Sequence, residues 1–329
     1  MPSPVTSDLH IDALLTEISL AYMNEDGDYI ADRAFPAVYV DKQSDKLLEF
    51  DDGFFQADEG DSLRRAPGGL PHEVDYKVTT SASYYADAYA AAHGIPDEDR
   101  GNADAVFNLD EEAVRLVTEV LRIKREKDFA TDFLTTGIWH ASGDKAGSTD
   151  FTKWNDASSD PFTDIEDGKR TIKGSISRWP NKLVMGDIVW YRLRHHPDIL
   201  DRIKYGATPQ NPANVSRQLV AALLELDEVL VGSAVRRSSN EGASTLTKAR
   251  IVDDDALLMF TPSSPSRMTP AAGYTFFWAA AFGGQRVPQI IERYRDIPGR
   301  HRDVVAAHSW FDQKKTVKNA GYFFSDCVD

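Results

Sequence analysis

The feature that most constrains this chain is a helical pattern between Asn108 and Gly137. Apolar residues recur there every three or four positions, which is the spacing of one helix face. This face consists of Leu109, Ala113, Leu116, Val120, Ile123, Ala130 and Leu134, widened by Val114, Val117 and Leu121. A helix over residues 109–136 rises about 40 Å, more than the diameter of a small domain. The pattern predicts a long strut, or an ordinary long core helix, along which the rest of the chain is arranged.

Both ends of this helix carry local signals. Asn108 can cap the first free N–H groups, and Glu111 stands at the reciprocal capping-box position. Asp110 and Glu112 add negative charge at the positive end of the helix dipole. Gly137 can adopt the left-handed conformation that ends a helix. The sequence therefore marks the start and the stop independently of the apolar stripe.

Composition bounds the class of protein. The 329 residues can hold one or two domains, and 37 basic against 52 acidic residues give a net charge of -15. This charge argues against a sequence-reading nucleic-acid binder, but it suits either a shell around DNA or an acidic cytosolic enzyme. Cys327 is the single cysteine, which excludes an intrachain disulfide and a cysteine zinc site. With no signal-peptide pattern or membrane-spanning run, we expect a soluble cytoplasmic product.

Two strand-like segments, Lys46–Phe50 and Glu73–Tyr85, flank a stretch dense in charge, glycine and proline. The pattern predicts a long hairpin with a loose tip. A two-stranded ribbon is marginal in water, so this hairpin is either a mobile flap or an arm held by another chain. A catalytic lid would need a site to cover, and the sequence offers none.

The rest of the chain alternates helices and strands. Asp160 and Pro161 open a predicted helix to Ile176, and Pro197 splits a later helical pattern in two. We further predict a helix over 215–226 and strands over 182–185, 228–235, 256–260, 274–281 and 287–294. The segments Val304–Lys315 and Lys318–Phe324 are expected to pair as a closing hairpin.

A search for catalytic, phosphate-binding or metal-binding motifs finds no established pattern. His195 and His196 are possible metal ligands, but no third ligand is placed by spacing, which favours a structural or surface role. The hairpin also carries an acidic cluster without the spacing of a calcium loop, so a solvated face is favoured. This cluster consists of Asp51, Asp52, Asp58, Glu59 and Asp61. We therefore expect no cofactor and no catalytic or metal site.

Two basic clusters stand out in this acidic chain. Arg64 and Arg65 lie near the hairpin tip, while the second cluster lies around the split helix. The second cluster consists of Arg192, Arg194, Arg202 and Lys204. Either cluster could bind phosphate, but carboxylates of a neighbouring subunit are favoured partners. The candidate intersubunit contacts are Arg64, Arg65, Asp58, Glu59, Arg192 and Arg194. We interpret Trp190, Tyr191, Phe276, Phe277 and Trp278 as core aromatics.

A set of ordered segments covers nearly the whole chain and carries a family resemblance. The segments are VYVDKQSDKLLEFDDGFF, RRAPG, NADAVFNLDEEAVRLVTEVLRIKREKDFATDFLTTGIW, KWNDASSDPFTDI, PNKLVMGDIVWYRLRHHPDILDRIKYG, RMTPAAGYTFFW and GYFFS. Together they resemble the major capsid protein of tailed phages of the Hong Kong 97 type. No single segment is catalytic, so the ensemble carries the resemblance.

The resemblance implies an α+β fold of the Hong Kong 97 type with named parts. These are an N-arm over 1–35, an extended hairpin loop over 36–85, a peripheral domain over 86–177 and 288–329 with its spine helix at 109–136, and an axial domain over 178–287. Some members carry a cleaved scaffolding segment, but here the arm begins close to Met1, so a separate scaffolding protein is expected. Lys46 and Lys77 are available for a crosslink, but no matching Asn and acidic residue are found, so none is predicted.

The implied function is a major head protein that self-assembles into hexamers and pentamers of an icosahedral shell around double-stranded DNA. The shell forms in the host cytoplasm as a procapsid and expands into the virion. Expected partners are further copies of the chain, a scaffolding protein, a portal, possibly a cement protein, and DNA held without sequence-specific contacts, with no membrane. The alternatives are an encapsulin-like compartment, a cytosolic α+β enzyme using His196 and Asp198, and a phage accessory or tail component.

Overall fold

The structure is a computed structural model. It describes residues 24–47, 49–50, 64–65, 67–70, 78–79, 82–102, 108–139, 142–206, 215–239, 245, 247–265, 269–297 and 299–329. The helices in this part of the chain are α1 (Ala31–Ala34), α2 (Asp97–Asn102), α3 (Leu109–Phe133), α4 (Pro161–Ile176), α5 (Asp187–Arg194), α6 (Pro197–Gly206) and α7 (Arg217–Leu223).

The described strands form two main sheets and shorter ribbons. They are β1 (Ala37–Val40), β2 (Ser44–Lys46), β3 (Glu49–Phe50), β4 (Val78–Thr79), β5 (Ser83–Tyr85), β6 (Asp87–Pro96), β7 (Asp144–Ala146), β8 (Lys182–Gly186), β9 (Glu228–Gly232), β10 (Val235–Arg237), β11 (Lys248–Arg250), β12 (Ala256–Met259), β13 (Gly273–Trp278), β14 (Ile290–Arg295), β15 (Arg302–Lys315) and β16 (Gly321–Ser325). The resulting α+β architecture agrees with the fold class expected from the sequence.

The first sheet is organised by the long strand β15. The order is β1-β13-β15-β14, and β6 pairs with β15 along its other edge. The pairings of β15 are antiparallel, whereas β1 and β13 run parallel. The sequence analysis did not predict β6, because its alternation of Ala88, Ala90 and Ala92 with small or polar residues carries little apolar signal.

The long helix α3 packs across this sheet, and its predicted start is confirmed. Asn108 accepts a hydrogen bond from the backbone N–H of Glu111 at 3.3 Å. The helix ends at Phe133, before Gly137, whose φ of 84° lies in the left-handed region. Leu134 serves as the C-cap instead, because its N–H bonds to the carbonyl of Ala130.

The buried face of α3 is only part of the predicted stripe. Ala113, Val117 and Leu121 belong to that stripe and are buried against a cluster on β6 and β15. Leu116 and Val120 were also expected in the core, but they are 39% and 48% exposed. The last two turns bury a further set against other elements: Arg125, Glu126, Phe129 and Phe133.

The second sheet has the order β7-β16-β12-β8-β9. It packs against α4, where Gly168 allows the ring of Tyr322 and the side chain of Leu258 to approach closely. Trp139 and Trp154 are fully buried in the same core. The expected closing hairpin of Val304–Lys315 with Lys318–Phe324 is wrong. Both segments contain strands, but β15 lies in the first sheet while β16 inserts between β12 and β7, where its apolar side chains find a core.

The described limbs of the predicted hairpin do pair. In antiparallel register β2 pairs with β5, and β3 pairs with β4. The predicted helix that begins at Pro161 is also confirmed, since the side chain of Asp160 accepts a hydrogen bond from the N–H of Thr163 at 3.0 Å. Pro197 separates α5 from α6 as expected.

Candidate functional site

A strap formed by residues Asn24–Phe35 lies along α3, and Glu126 is its central anchor. This carboxylate is 1% exposed. The backbone N–H of Ile30 lies 3.1 Å from each of its oxygens, and the N–H of Ala31 donates to Oε2 at 2.8 Å. Burial raises the pKa of Glu126 to about 7, although the hydrogen bonds from Ala31 and Ile30 act in the opposite direction.

Two further side chains of α3 hold the strap on either side of this anchor. Arg125, itself buried, donates from Nη1 to both carboxylate oxygens of Asp32 at 2.7 Å. The hydroxyl of Tyr29 donates to Glu119 at 2.5 Å. Burial, followed by this hydrogen bond, raises the pKa of Tyr29. These contacts are charge-assisted, and Arg125 and Tyr29 are buried, although the side chain of Asp32 is half exposed.

The strap also contacts the second sheet and its neighbouring ribbon. Asn24 exchanges two hydrogen bonds of 3.0 Å with the backbone of Val235. The carbonyl of Arg33 accepts a hydrogen bond from Lys182 on β8, and its guanidinium pairs with Glu228 on β9. The strap therefore ties the long helix to the second sheet.

The base of the hairpin, which we call its root and which contains Leu47 and Tyr84, packs on the first sheet. Tyr84 stacks on Phe276, with ring centroids 4.7 Å apart, and Leu47 is buried in the same apolar cluster. Farther out, Leu70 is 92% exposed. A rooted ribbon that presents an apolar side chain to solvent is suited to contact another molecule.

The structure describes four of the six candidate contact residues, and it places them on two separate elements. Arg64 and Arg65 are exposed on the hairpin, whereas Arg192 and Arg194 are exposed in the last turn of α5. Asp58 and Glu59 lie outside the described residues. The role of all six in intersubunit contact stays a prediction.

The aromatic residues of α5 divide between core and surface. Trp190 is buried as expected, but Tyr191 is 56% exposed, so its assignment to the core is wrong. Successive helical residues differ in direction by about 100°. Of these two aromatic residues, Trp190 therefore packs into the core beside the second sheet, whereas Tyr191 points away from it. Tyr191 instead packs against the ring of His195 with centroids 4.7 Å apart. This exposed aromatic pair adjoins the two arginines of the same helix.

An ion-pair network that the sequence analysis missed links the start of α3 to β14. Arg293 donates to Asp110 at 3.1 Å and to Asp303 at 3.0 Å. Arg100 pairs with Asp110 at 2.8 Å, and Arg295 reaches Asp303 at 3.1 Å. The guanidiniums of Arg293 and then Arg295 lower the pKa of Asp303. The available signal was the period-two spacing of Arg293 and Arg295, which places both on one face of a strand.

The enzyme alternative depended on His196, which is 3% exposed. Its Nδ1 accepts a hydrogen bond from the N–H of Asp198 at 3.3 Å, so we assign the ring proton to Nε2. Nε2 faces the carbonyl of Asp156 at 3.2 Å and Ser159 Oγ at 3.1 Å. A protonated Nε2 cannot take a proton from Ser159, so this Ser-His-Asp arrangement is structural.

Other features of the described residues give no support to catalysis. A cleft of about 410 Å³ is lined by polar residues, including Lys153, Asn155 and Asp329, and His196 is not among its lining residues. Among the residues that the structure describes, no group of three or more histidine, cysteine or acidic side chains could hold a metal ion. No helix in the same part of the chain is long and apolar enough to cross a membrane.

Comparison with known sequences gives consistent matches. Residues 146–296 match the family described as Phage major capsid protein E. The chain is 27% identical to the major capsid protein of Burkholderia phage BcepMu over 265 residues, covering 80% of this chain and 82% of the relative. It is 29% identical to the major capsid protein of Pseudomonas phage JBD67 over 231 residues, covering 68% and 69%.

Solved structures share the fold. A phage-related protein from Bordetella bronchiseptica RB50 aligns with a TM-score of 0.70 at 22% identity, covering 96% of this chain and 97% of the other. The capsid of cyanophage P-SCSP1u aligns at 0.56 and 9% identity, covering 92% and 89%. The SrpI encapsulin of Synechococcus elongatus PCC 7942 aligns at 0.53 and 11% identity, covering 96% and 95%.

The fold and these matches define a structural protein that builds a shell, not an enzyme. Residues 146–296 match the phage major capsid protein family, and two phage major capsid proteins align with most of the chain, which supports a shell protein that is part of the virion.

Proposed function

We propose that copies of this chain form the hexamers and pentamers of an icosahedral head of the Hong Kong 97 type, which encloses double-stranded DNA. The subunits assemble in the host cytoplasm as a procapsid, and the shell later expands. The hairpin and the N-terminal residues act as arms on neighbouring subunits. Many modest interfaces per subunit then combine into a cooperative shell.

The main support for this proposal is the pattern of burial along the hairpin. Its root is buried through Leu47 and Tyr84, while Arg64, Arg65 and Leu70 stand exposed farther out. A two-stranded ribbon gains little from folding on its own, so an arm with this distribution of burial is best stabilised by a second subunit. Carboxylates on that subunit suit the two arginines, because a guanidinium forms paired hydrogen bonds with a carboxylate.

The domain division is part of the proposal. Its parts are the N-arm over 1–35, the hairpin loop over 36–85, the peripheral domain over 86–177 and 288–329 with its spine helix, and the axial domain over 178–287. The presence of two separate sheets supports a two-domain body, although β13 from the axial range lies in the first sheet and β7 from the peripheral range lies in the second. The pairing of β16 with β12 supports moving Gly321–Ser325 to the axial side of this division.

The proposed partners beyond the chain itself are a separate scaffolding protein, a portal, a cement protein and the packaged DNA. The net charge of -15 supports an enclosing wall that does not adhere to the genome. DNA inside such a shell is held by confinement and not by sequence-specific contacts.

Electron microscopy of the purified full chain, with size-exclusion chromatography, tests the proposal. Closed particles of uniform diameter are expected. Rings or tubes would indicate a tail or accessory component instead, and a small discrete oligomer at all concentrations would contradict the shell. The shared fold of encapsulins makes a cargo compartment the second candidate, and packaged DNA in particles from an induced lysogen distinguishes the two.

Deletion of Asp51–Pro71 tests the role of the hairpin. We expect a folded subunit with an unchanged melting temperature, because the described contacts of the root remain. This subunit should no longer form closed particles. Gly174→Ala, which lies in α4 and leaves the hairpin and the strap intact, serves as a control that retains assembly. Closed particles from the deletion variant would contradict the assignment of the hairpin as an arm.

A further inference from the structure

The long helix α3 carries apolar residues on its exposed side as well as on its buried side. Leu116 and Val120 are exposed there, and Ile123 is partly buried. Together with a charged residue at each end, they form a line that we call the α3 seam: Glu112, Leu116, Val120, Ile123 and Lys127. With about 100° between successive residues, the five positions fall within about 40° of the direction of Leu116. A helix that is apolar on both sides is expected to be covered on both.

The described elements of the subunit leave the α3 seam uncovered. The strap lies along a neighbouring side of the helix, where it contacts Glu119, Arg125 and Glu126. The first sheet covers the side that contains Val117. The seam is therefore a continuous surface on which a second molecule can pack.

The charges at the two ends of the α3 seam indicate which molecule fits it. Glu112 and Lys127 have opposite charges, and neither has an ion-pair partner among the described residues. Both lie equally far from the midpoint of the seam, and so do Leu116 and Ile123. When two copies of the helix align antiparallel about this midpoint, Glu112 of each meets Lys127 of the other, and Leu116 meets Ile123. A parallel alignment would bring like charges together, so the seam is complementary to itself only in the antiparallel sense.

We propose that the α3 seam packs against the same seam of a second copy of this chain, antiparallel and across a two-fold axis. From residue 112 to residue 127 the helix rises about 22 Å. Two helices in contact over this length bury less than the roughly 1,200–2,000 Å² of a stable interface. The contact is therefore weak alone and forms where other interfaces already hold the two copies together, so this inference rests on the proposed function.

Disulfide crosslinking in assembled particles tests the proposal. The native Cys327 is fully buried, so it does not compete with an engineered thiol. Particles of each variant are formed under reducing conditions, oxidised and analysed by non-reducing electrophoresis. Val120→Cys places two thiols beside the two-fold axis, where they are expected to form a disulfide-linked dimer.

Leu116→Cys is the matched control on the same seam. In the antiparallel register its two copies lie about 10 Å apart along the helix axis, beyond the reach of a disulfide. Val120→Cys should therefore give about tenfold more dimer than Leu116→Cys. Adding Ile123→Cys to Leu116→Cys should restore the dimer, because these two positions face each other.

Charge reversal checks the register independently. In the Val120→Cys background, Glu112→Lys should lower the dimer yield about threefold at low salt, because both ends of the seam then carry facing positive charges. Adding Lys127→Glu should restore the yield. If it does not, the charges are not paired across the seam and the proposal is overturned.

The outcomes separate this inference from the proposed function. Closed particles without a dimer from Val120→Cys, or with a dimer from Leu116→Cys alone, would overturn the antiparallel seam and leave the shell intact. A dimer from Val120→Cys in a chain that forms no closed particles would support the seam and contradict the shell. Absence of both dimer and particles would contradict both.

Discussion

The ring of Phe35 lies edge-on against the ring of Phe129, with centroids 5.1 Å apart and planes at 84°. Phe133 contacts the same ring at 4.7 Å. Phe35 is fully buried, and it stands at the end of the strap, directly before Pro36 and β1. The aromatic cluster therefore fixes the end of the strap on α3, at the point where the chain continues into β1 of the first sheet.

We expect Phe35→Ala to lower the free energy of unfolding by about 3–5 kcal/mol, because it leaves a cavity between two aromatic rings that cannot collapse fully. Chemical denaturation of the unassembled subunit measures the loss. Tyr85→Ala is the matched control: this ring is 54% exposed, and its removal should change stability by less than about 0.5 kcal/mol. Similar values for the two variants would contradict the packing role of Phe35.

Replacement of two glycines by alanine should change the stability of the subunit in opposite directions. A Cβ at Gly321 would lie 2.2 Å from the ring of buried Trp139, so Gly321→Ala must displace the indole and should destabilise by about 1–3 kcal/mol. A Cβ at Gly174, in α4, meets no atom within 4 Å among the described residues. Gly174→Ala should stabilise by about 0.5–1 kcal/mol, because glycine lowers helix propensity. Thermal melting of both variants checks the two signs.

The stability of the second sheet should depend on pH through Asp255. Burial raises the pKa of this carboxyl group to about 7, and its Oδ1 accepts a hydrogen bond from the N–H of Asp326. The folded state then holds a proton that the unfolded state loses near pH 4, so stability falls as pH rises from about 4 to about 7.

Asp255→Asn should remove that contribution, on the order of 3 kcal/mol between pH 4 and pH 7. Unfolding free energies at a series of pH values measure the slope. Asp41→Asn, which changes an exposed carboxylate, should leave the slope intact. An unaltered slope in Asp255→Asn would show that other groups carry the pH dependence.

Lys169 is expected to contribute strongly to the packing of α4. Its ammonium group, on a side chain 3% exposed, donates to Glu166 at 2.6 Å and to the carbonyl of Leu224 at 2.7 Å. Lys169→Met would leave that carbonyl without its donor and should cost about 1–3 kcal/mol in denaturation experiments. Lys173→Met, one turn later and half-buried, should cost less than about 1 kcal/mol. If Lys169→Met and Lys173→Met lowered the free energy of unfolding equally, the proposed contribution of Lys169 to the packing of α4 would be wrong.

Local signals made much of the fold predictable. The starts of α3 and α4 are determined by Asn108, Asp160 and Pro161, whose side chains act within one turn of the chain. The two limbs of the hairpin were likewise evident from composition. These features depend on residues that are close in sequence, so a single sequence contains the information needed to find them.

Features that depend on distant residues were not predictable. Nothing near Arg125 or Glu126 indicates that the strap will cover them, and the apolar pattern could not show that Leu116 and Val120 lie on the exposed side of the helix. The partner of β16 could not be chosen either, since β15 and β12 are both apolar. For the candidate contacts, charge suggested Arg64 and Arg192, whereas the spacing of Arg293 and Arg295 could not show which distant residues, such as Arg100 and Asp110, complete the network around Asp303.

The strand β15 also determines when the subunit can mature during synthesis. It joins β6, β13 and β14, and its Val305 and Ala307 cover the face of α3 that contains Val117. The ribosome makes α3 long before it makes β15. The apolar face of the helix therefore stays exposed to solvent during this part of synthesis. Such non-local pairing is slow. A nascent chain therefore cannot complete the first sheet, or cover this face of α3, until the ribosome has made β15.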